Sequence, residues 1–205
     1  MLKKTTFIAL FVTFLLALTA CSQSNSTTKR LYDALPVNVD GNPEGDVTLV
    51  EFFDYRCKFC KKIQPDIEQI IQADDNVRVV YRDIAILGAD SEFASRAAQA
   101  AKLQGRYLAL HRLLINSKQP LTIERVLQYA KLANCNVEQL QKDMFSQTVT
   151  EAMAENKALA KMMDIKGTPT LFAGKTQDTN SKPKEFAGDP TKAEIEALIS
   201  SATNS

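Results

Sequence analysis

Two cysteines separated by two residues, Cys57-Lys58-Phe59-Cys60, constrain this chain more than any other feature. They follow the apolar run 47–53 and precede a helix-like stretch, so they lie where a strand passes into a helix. Cysteines at this spacing can close as a disulfide and are typical of a dithiol redox couple. A helix N-terminus at Cys57 would stabilise its thiolate through the helix dipole and unpaired N–H groups. The pattern therefore predicts Cys57 as the nucleophile and Cys60 as the resolving thiol.

The N-terminus predicts export. Lys3 and Lys4 precede an apolar run, 7–18, that is too short to span a bilayer comfortably. The following Leu18-Thr19-Ala20-Cys21 is similar to the bacterial lipobox, which implies a lipoprotein signal peptide over 1–20 and lipid attachment at Cys21. An ordinary secretory signal with no role for Cys21 is the alternative. Both interpretations place the dithiol in the cell envelope, on the periplasmic side, where disulfides persist. Ser22 after the lipidated cysteine favours the outer membrane in a cell with two membranes.

Size and charge limit the remaining possibilities. Of the 205 residues, removal of the first 20 leaves 185, enough for one well-buried domain with an insertion. The net charge of +1 gives no electrostatic support for nucleic acid as a partner. Residues 21–45 are polar and then rich in Pro, Gly and Asn, which predicts a tether and a loosely packed lead-in. The folded domain is expected over 46–205.

The order of predicted elements indicates the fold class. A strand, a helix and a second strand over 47–81 form a βαβ unit with parallel pairing. Helical periodicity then dominates to about residue 163, after which two strands and a last helix follow Gly167. Five helix starts are predicted from polar residues that can cap them: Ser91, Thr122, Asn136, Thr148 and Asp189. The order βαβ, helical block, ββα predicts an α/β protein, a thioredoxin fold with a helical insertion at about 89–163.

Four features resemble the thioredoxin superfamily: the Cys57–Cys60 motif, Pro65 eight residues after its first cysteine, the segment Gly167-Thr168-Pro169-Thr170, and the element order. The helical insertion is similar to that of the DsbA family of bacterial extracytoplasmic thiol–disulfide oxidoreductases. The run 41–55 is similar to the subgroup of ScsC- and Com1-like proteins.

The resemblance implies roles for three further residues. Pro169 would be the family's cis-proline, and Thr168 would face the dithiol and contact a thiolate or the substrate. Thr168 is alternatively a β-branched residue suited to a strand. Glu51 would be a buried acid that exchanges a proton with Cys60, because burial raises a carboxyl pKa. A partly exposed strand glutamate is the alternative for Glu51.

The function implied is exchange of the Cys57–Cys60 disulfide with unfolded or misoxidised exported proteins, without a cofactor or metal. Oxidase chemistry is favoured, while isomerase or reductase chemistry stays open because Thr168 is more typical of isomerases. A membrane redox partner would recycle the dithiol, and the lipid anchor would bind the membrane. A Cu(I)-binding stress protein and a redox-silent holdase are the other classes considered.

Several neighbours of the motif carry secondary expectations. The cations Arg56, Lys58, Lys61 and Lys62 are expected to lower the Cys57 pKa, with the helix terminus contributing more. Three aromatic residues are candidates for a client-binding rim: Tyr55, Phe59 and Phe53. His111, the sole histidine, is expected on a helix surface or at a cap, and Cys135 is expected as a small buried residue.

Overall fold

The computed structural model describes residues 27–203. The predicted signal peptide, Cys21 and the tether to residue 26 lie outside those residues. A five-stranded sheet runs in the order β1-β3-β2-β4-β5, with β2 and β3 parallel and the other pairs antiparallel. Its strands are β1 (Asp40–Gly41), β2 (Val47–Phe53), β3 (Val77–Asp83), β4 (Thr170–Lys175) and β5 (Lys184–Ala187).

Helices cover the sheet and fill the segment between β3 and β4. They are α1 (27–32), α2 (Lys58–Ala73), α3 (Ala89–Lys102), α4 (Tyr107–Ile115), α5 (Ile123–Leu132), α6 (Val137–Asp143), α7 (Gln147–Met162) and α8 (Lys192–Thr203), with a 3-10 helix at Pro36–Asn38. Helices α3–α7 form the insertion that the sequence predicts. The thioredoxin fold with a helical insertion is therefore confirmed.

Strand β2 is the centre of the sheet and is buried along its whole length. A strand covered on both faces has a continuous apolar sequence, not an alternating one, as residues 47–53 do. Glu51 is the acidic exception, opposite Tyr81 of β3 and Leu171 of β4. The sheet register thus places one carboxyl group in the middle of the core.

Helix α2 begins immediately after Cys57, which is its N-cap, and runs through Pro65 without a break. Cys60, Ile63, Ile67 and Ile70 share its buried face, at the spacing of one side of a helix. The packing of this face against the sheet fixes the dithiol at the end of β2.

Two of the predicted helix starts are confirmed, since Thr122 caps α5 and Asn136 caps α6, and three need correction. Helix α3 begins at Ala89 after Gly88, whose φ of 100° favours glycine, so Ser91 lies inside the helix and is no cap. Ser146, not Thr148, caps α7 by accepting the Val149 N–H. At α8 the Thr191 side chain accepts the Glu194 N–H, in place of the predicted Asp189.

The described part of the lead-in is packed, in contrast to the loose packing expected. Leu31 and Tyr32 of α1 are buried in a cluster with Phe52 and Phe172 on one face of the sheet. Arg82 of β3 donates to carbonyl groups at the end of α1, which satisfies groups that a helix C-terminus leaves unpaired. Residues 27–33 therefore belong to the folded unit.

Within residues 27–203, no helix combines the length and the apolar character needed to cross a membrane.

Candidate active site

Cys57 and Cys60 are free thiols in the first turn of α2. The Cys57 sulfur accepts the N–H of Cys60 at 3.5 Å. As a thiol it can also donate to the carbonyl oxygen of Thr168, 3.2 Å away. Cys57 is 6% exposed, whereas Cys60 is fully buried. One sulfur is therefore accessible from solvent and the other lies beneath it.

The pKa of Cys57 falls from its ordinary 9.0 to about 5. The largest cause is the hydrogen bond from the Cys60 side chain, and the Thr168 contact and the backbone N–H groups of Cys60 and Phe59 lower the pKa further. Burial opposes the shift without cancelling it. Cys57 is therefore mainly a thiolate at neutral pH, the form that attacks disulfides.

Hydrogen bonds are the main causes of this lowered pKa, and the four neighbouring cations are not. The expectation that those cations lower the Cys57 pKa is corrected accordingly. Each of the four is engaged elsewhere. Lys58 lies over the Phe59 ring, Lys61 donates to carbonyl groups after α4, Lys62 pairs with Asp189, and Arg56 donates to the Leu87 carbonyl.

Cys60 has the opposite electrostatic environment. Burial, the hydrogen bond to Cys57 and the charge of Glu51 all raise its pKa. Cys60 therefore remains a protonated thiol while Cys57 is ionised. Cys57 is therefore stable as a thiolate and Cys60 as a thiol.

Glu51 is wholly buried beneath the dithiol, and neither carboxyl oxygen has a hydrogen-bond partner among the described residues. Burial, followed by the charge of Cys57, raises its pKa well above 4.5. This position excludes the partly exposed strand glutamate considered from the sequence. A neutral carboxylic acid in this position can give or take a proton.

The Thr168–Pro169 peptide bond is cis, as the resemblance implied. Thr168 presents its backbone carbonyl to Cys57. The Thr170 hydroxyl donates to the Gly167 carbonyl at 2.9 Å and closes the turn. Residues 167–170 thus border the reactive sulfur from the opposite side of the sheet end.

Asp54 is a site residue that the sequence analysis missed. Its buried carboxylate accepts hydrogen bonds from the Arg56 N–H at 2.7 Å, the Ile86 N–H at 2.9 Å, the Leu87 N–H at 3.0 Å and the Ser91 hydroxyl at 2.7 Å. Its carbonyl accepts the Cys57 N–H at 2.9 Å. An aspartate directly after a strand is a turn signal, and that signal was available.

The predicted apolar rim is only partly present. Tyr55 and Phe53 are buried, and Phe59 alone of the three is exposed. His111 is also buried, not on a helix surface: it stacks on Tyr81 at 4.1 Å and its Nδ1 lies 3.1 Å from the Tyr55 hydroxyl. Burial lowers the His111 pKa to about 3, so the ring is neutral.

Among residues 27–203, no group of three or more His, Cys, Asp or Glu side chains is arranged to hold a metal ion. Cys135 is buried in the insertion core, as expected, and burial raises its pKa.

A protein-family model described as "Thioredoxin" matches residues 37–188, well over half of the chain. The chain belongs to this family. A solved thioredoxin-like oxidoreductase from Silicibacter pomeroyi is 36% identical, with a TM-score of 0.77 over 86% of this chain and 97% of that one. The catalytic domain of Proteus mirabilis ScsC is 23% identical, with a TM-score of 0.74 over 88% and 96% of the two chains, and shares the fold.

The chain spans only a small part of the first curated relatives that it matches. The Na(+)/H(+) antiporter NhaA 1 of Mycolicibacterium gilvum is 31% identical over 140 residues, which are 66% of this chain. The chain spans about a quarter of that antiporter's length, 23%. The fold of DsbA- and ScsC-type proteins that the sequence predicts is confirmed, with the Cys57–Cys60 pair at the start of α2.

Proposed function

We propose that this protein oxidises the thiols of unfolded exported proteins by transferring its Cys57–Cys60 disulfide to them. The observation that supports this direction is the Cys57 pKa of about 5. A stable thiolate stabilises the reduced protein relative to the oxidised protein, so the disulfide becomes a stronger oxidant. The same thiolate is a good leaving group from a mixed disulfide.

The reaction has two exchange steps. A client thiolate attacks the Cys57 sulfur, the Cys57–Cys60 bond breaks, and Cys60 leaves as a thiolate that takes up a proton. A second client thiolate then attacks the client sulfur of the mixed disulfide, and Cys57 leaves as a thiolate. The client loses two electrons and two thiol protons, and the protein is reduced by the same two electrons.

Glu51 is the proton donor and acceptor for Cys60 in this proposal. Its carboxyl group is neutral where ordinary glutamates are ionised, so it can protonate the Cys60 thiolate as that thiolate leaves. Thr168 and Pro169 border the opposite side of Cys57, where the backbone of a client would lie during attack. These are the roles that the family resemblance implies.

The proposed location is the periplasmic side of the bacterial cell envelope. Cys21 would carry the lipid after removal of residues 1–20, with the outer membrane favoured by Ser22 in a diderm cell. A membrane redox partner would reoxidise the dithiol after each cycle. No organic cofactor or metal takes part in this chemistry.

The deciding experiment is equilibration of the purified protein with glutathione buffers, followed by alkylation and gel shift to count thiols. A reduction potential near about −120 mV is expected for an oxidase. A value near about −270 mV would assign a reductase and overturn the oxidase direction. The Cys60→Ser variant distinguishes thiol exchange from a holdase function. Mixed disulfides trapped between this variant and client proteins would support exchange. Undiminished protection of clients, with no trapped disulfides, would indicate a holdase.

A further inference from the structure

A groove outside the dithiol begins beside Cys57 and runs along helix α2. Cys57, Lys61 and Pro65 are spaced by four residues and therefore share one side of the helix. A cavity of about 470 Å³ separates this side from the segment 115–121, which joins α4 to α5. Arg56, the residue directly before the reactive Cys57, also lines this cavity.

The groove has an apolar lining and a cationic rim. Pro65 and Pro120 are exposed and contribute apolar surface, with the buried Tyr55 and Leu121 behind them. Three cations, Arg56, Lys61 and Lys118, line it against a single carboxylate, Asp90. The excess of positive charge favours an anionic occupant.

Each cation plays a different part. The Lys61 ammonium donates to the carbonyl oxygens of Leu114, Ile115 and Ser117 at 3.2, 3.3 and 2.9 Å, so its three donors are used and it contributes charge alone. Arg56 donates one N–H to the Leu87 carbonyl, and the same nitrogen lies 3.9 Å from the Asp90 carboxylate, so Arg56 is already paired.

Lys118 is exposed and forms no ion pair within residues 27–203. It is therefore the cation best able to meet a charge on a ligand.

We propose that this groove binds an extended segment of the client that carries Asp or Glu close to the reacting cysteine. The inference rests on the proposed function, because the occupant is the client whose cysteine exchanges with Cys57. The exposed prolines contact the client side chains, and Lys118 pairs with its carboxylates. Clients with acidic residues beside the cysteine are thereby selected over clients with basic residues.

The test uses the Cys60→Ser variant and three synthetic peptides of equal length. Each peptide has one cysteine, flanked by Asp, Ser or Lys and linked as a disulfide to 2-thiopyridine. The Cys57 thiolate attacks the peptide sulfur, the peptide–pyridine disulfide breaks, and the thiopyridone released is read by absorbance. Rates are corrected with a Cys57→Ser/Cys60→Ser variant for the other cysteines and normalised to each peptide's rate with 2-mercaptoethanol.

The expected result is a rate about tenfold higher for the Asp peptide than for the Lys peptide at low salt, with the ratio falling as salt rises. Lys118→Glu should lower that ratio at least about threefold. The matched control is Lys131→Glu, an equal charge change at an exposed position on α5 outside the groove, which should leave the ratio unchanged.

Three outcomes overturn the proposal: equal rates for the three peptides, a preference for the Lys peptide, or equal ratios in the Lys118→Glu and Lys131→Glu variants. They differ from failure of the proposed function. If Cys57 released thiopyridone from no peptide, the exchange activity itself would be withdrawn.

Discussion

At the scale of single residues, two cysteines of identical chemistry behave in opposite ways. Cys57 receives hydrogen bonds from Cys60 and from the start of α2, and its pKa falls to about 5. Cys60 is enclosed, with Glu51 beneath it, and its pKa rises. The asymmetry comes from position in one helical turn, because only the first sulfur reaches the unpaired N–H groups.

Removing the Cys60 thiol should raise the Cys57 pKa, since the hydrogen bond from Cys60 is the largest cause of its depression. Cys60→Ala loses that donor, whereas Cys60→Ser keeps a hydroxyl in its place. The pH dependence of alkylation by iodoacetamide, followed on the Cys57 peptide by mass spectrometry, gives both values. The Ala variant should have the higher pKa; equal values in the two variants would contradict this explanation.

Replacing Glu51 with Gln should stabilise the protein increasingly as pH rises. The unfolded glutamate ionises above about pH 4.5, whereas burial keeps the folded one protonated, so the folded state binds more protons in that range. As pH rises, the wild type loses about 1.4 kcal/mol of unfolding free energy for each unit by which the folded pKa of Glu51 exceeds the unfolded one. The variant, which cannot ionise, avoids that loss.

Urea unfolding of the oxidised proteins at pH 5 and pH 8 measures the effect of Glu51→Gln. Glu185→Gln on exposed strand β5 is the control: it keeps Glu51, so its stability relative to the wild type should be similar at the two pH values. If Glu51→Gln and Glu185→Gln gain equal stability relative to the wild type between pH 5 and pH 8, Glu51 is not the buried acid described. The same Glu51→Gln variant should exchange disulfides more slowly, because Cys60 loses its proton donor.

At the scale of elements, one carboxylate organises the loop that follows β3. Asp54 joins the end of β2 to the backbone of Ile86 and Leu87 and to Ser91 in the first turn of α3. Ile86 and Leu87 remain exposed beside the dithiol because their backbone is held and their side chains are not. The strand end, the redox turn and the start of α3 therefore form one hydrogen-bonded unit.

Asp54→Ala should lower the free energy of unfolding by about 3 kcal/mol, since buried donors left without a partner cost about 1–3 kcal/mol each. Guanidinium or urea unfolding gives the value. Asp74→Ala serves as the comparison, because this exposed aspartate accepts one backbone N–H, from Asn76, and should cost about 1 kcal/mol. Similar losses for both variants would remove Asp54 from its organising role.

The helices and strands were predictable from local sequence pattern, but the residues at which they begin and end were less predictable. The apolar run 47–53 and the periodicity of α2 depend on residues close in sequence. The start of α3 depends on a contact between Ser91 and Asp54, which are 37 residues apart. Such a contact gives no periodic signal, so Ser91 resembled a cap although its hydroxyl is used elsewhere.

At the scale of the whole molecule, Lys61 connects the thioredoxin part to the helical insertion. It extends from α2 and satisfies three carbonyl groups at and after the end of α4. Burial lowers its pKa, which reflects its enclosure between the two parts. Lys61 therefore adds polar contacts between the two parts to the apolar core that they share.

Lys61→Met should destabilise the protein by about 2 kcal/mol, because buried carbonyl groups lose their donor. Lys62→Met, its exposed neighbour paired with Asp189, should cost about 0–1 kcal/mol. Urea unfolding midpoints provide the comparison. Equal costs would show that Lys61 is an ordinary surface lysine.

The sequence predicted the dithiol, the acid beneath it and the turn at Pro169, because the family resemblance carried those positions. It did not predict the burial of His111. Tyr55 and Tyr81 of β3 reach that ring from other parts of the chain, whereas Tyr107 lies one turn earlier on the same helix, α4. Only tertiary packing brings Tyr55 and Tyr81 to the ring, and a lone histidine in a helical pattern gives no sign of it.

Lipid attachment at Cys21, as proposed, would make the packing of α1 limit how far the dithiol can travel from a membrane. Tyr32 fits so closely against β4 that a Cβ on Gly174 would lie 2.0 Å from its hydroxyl oxygen. Six residue spacings separate Cys21 from residue 27, where the described helix begins. Fully extended, they reach only about 20 Å. A protein lipidated at Cys21 would therefore work within a thin layer beside the bilayer and meet its clients as they emerge there.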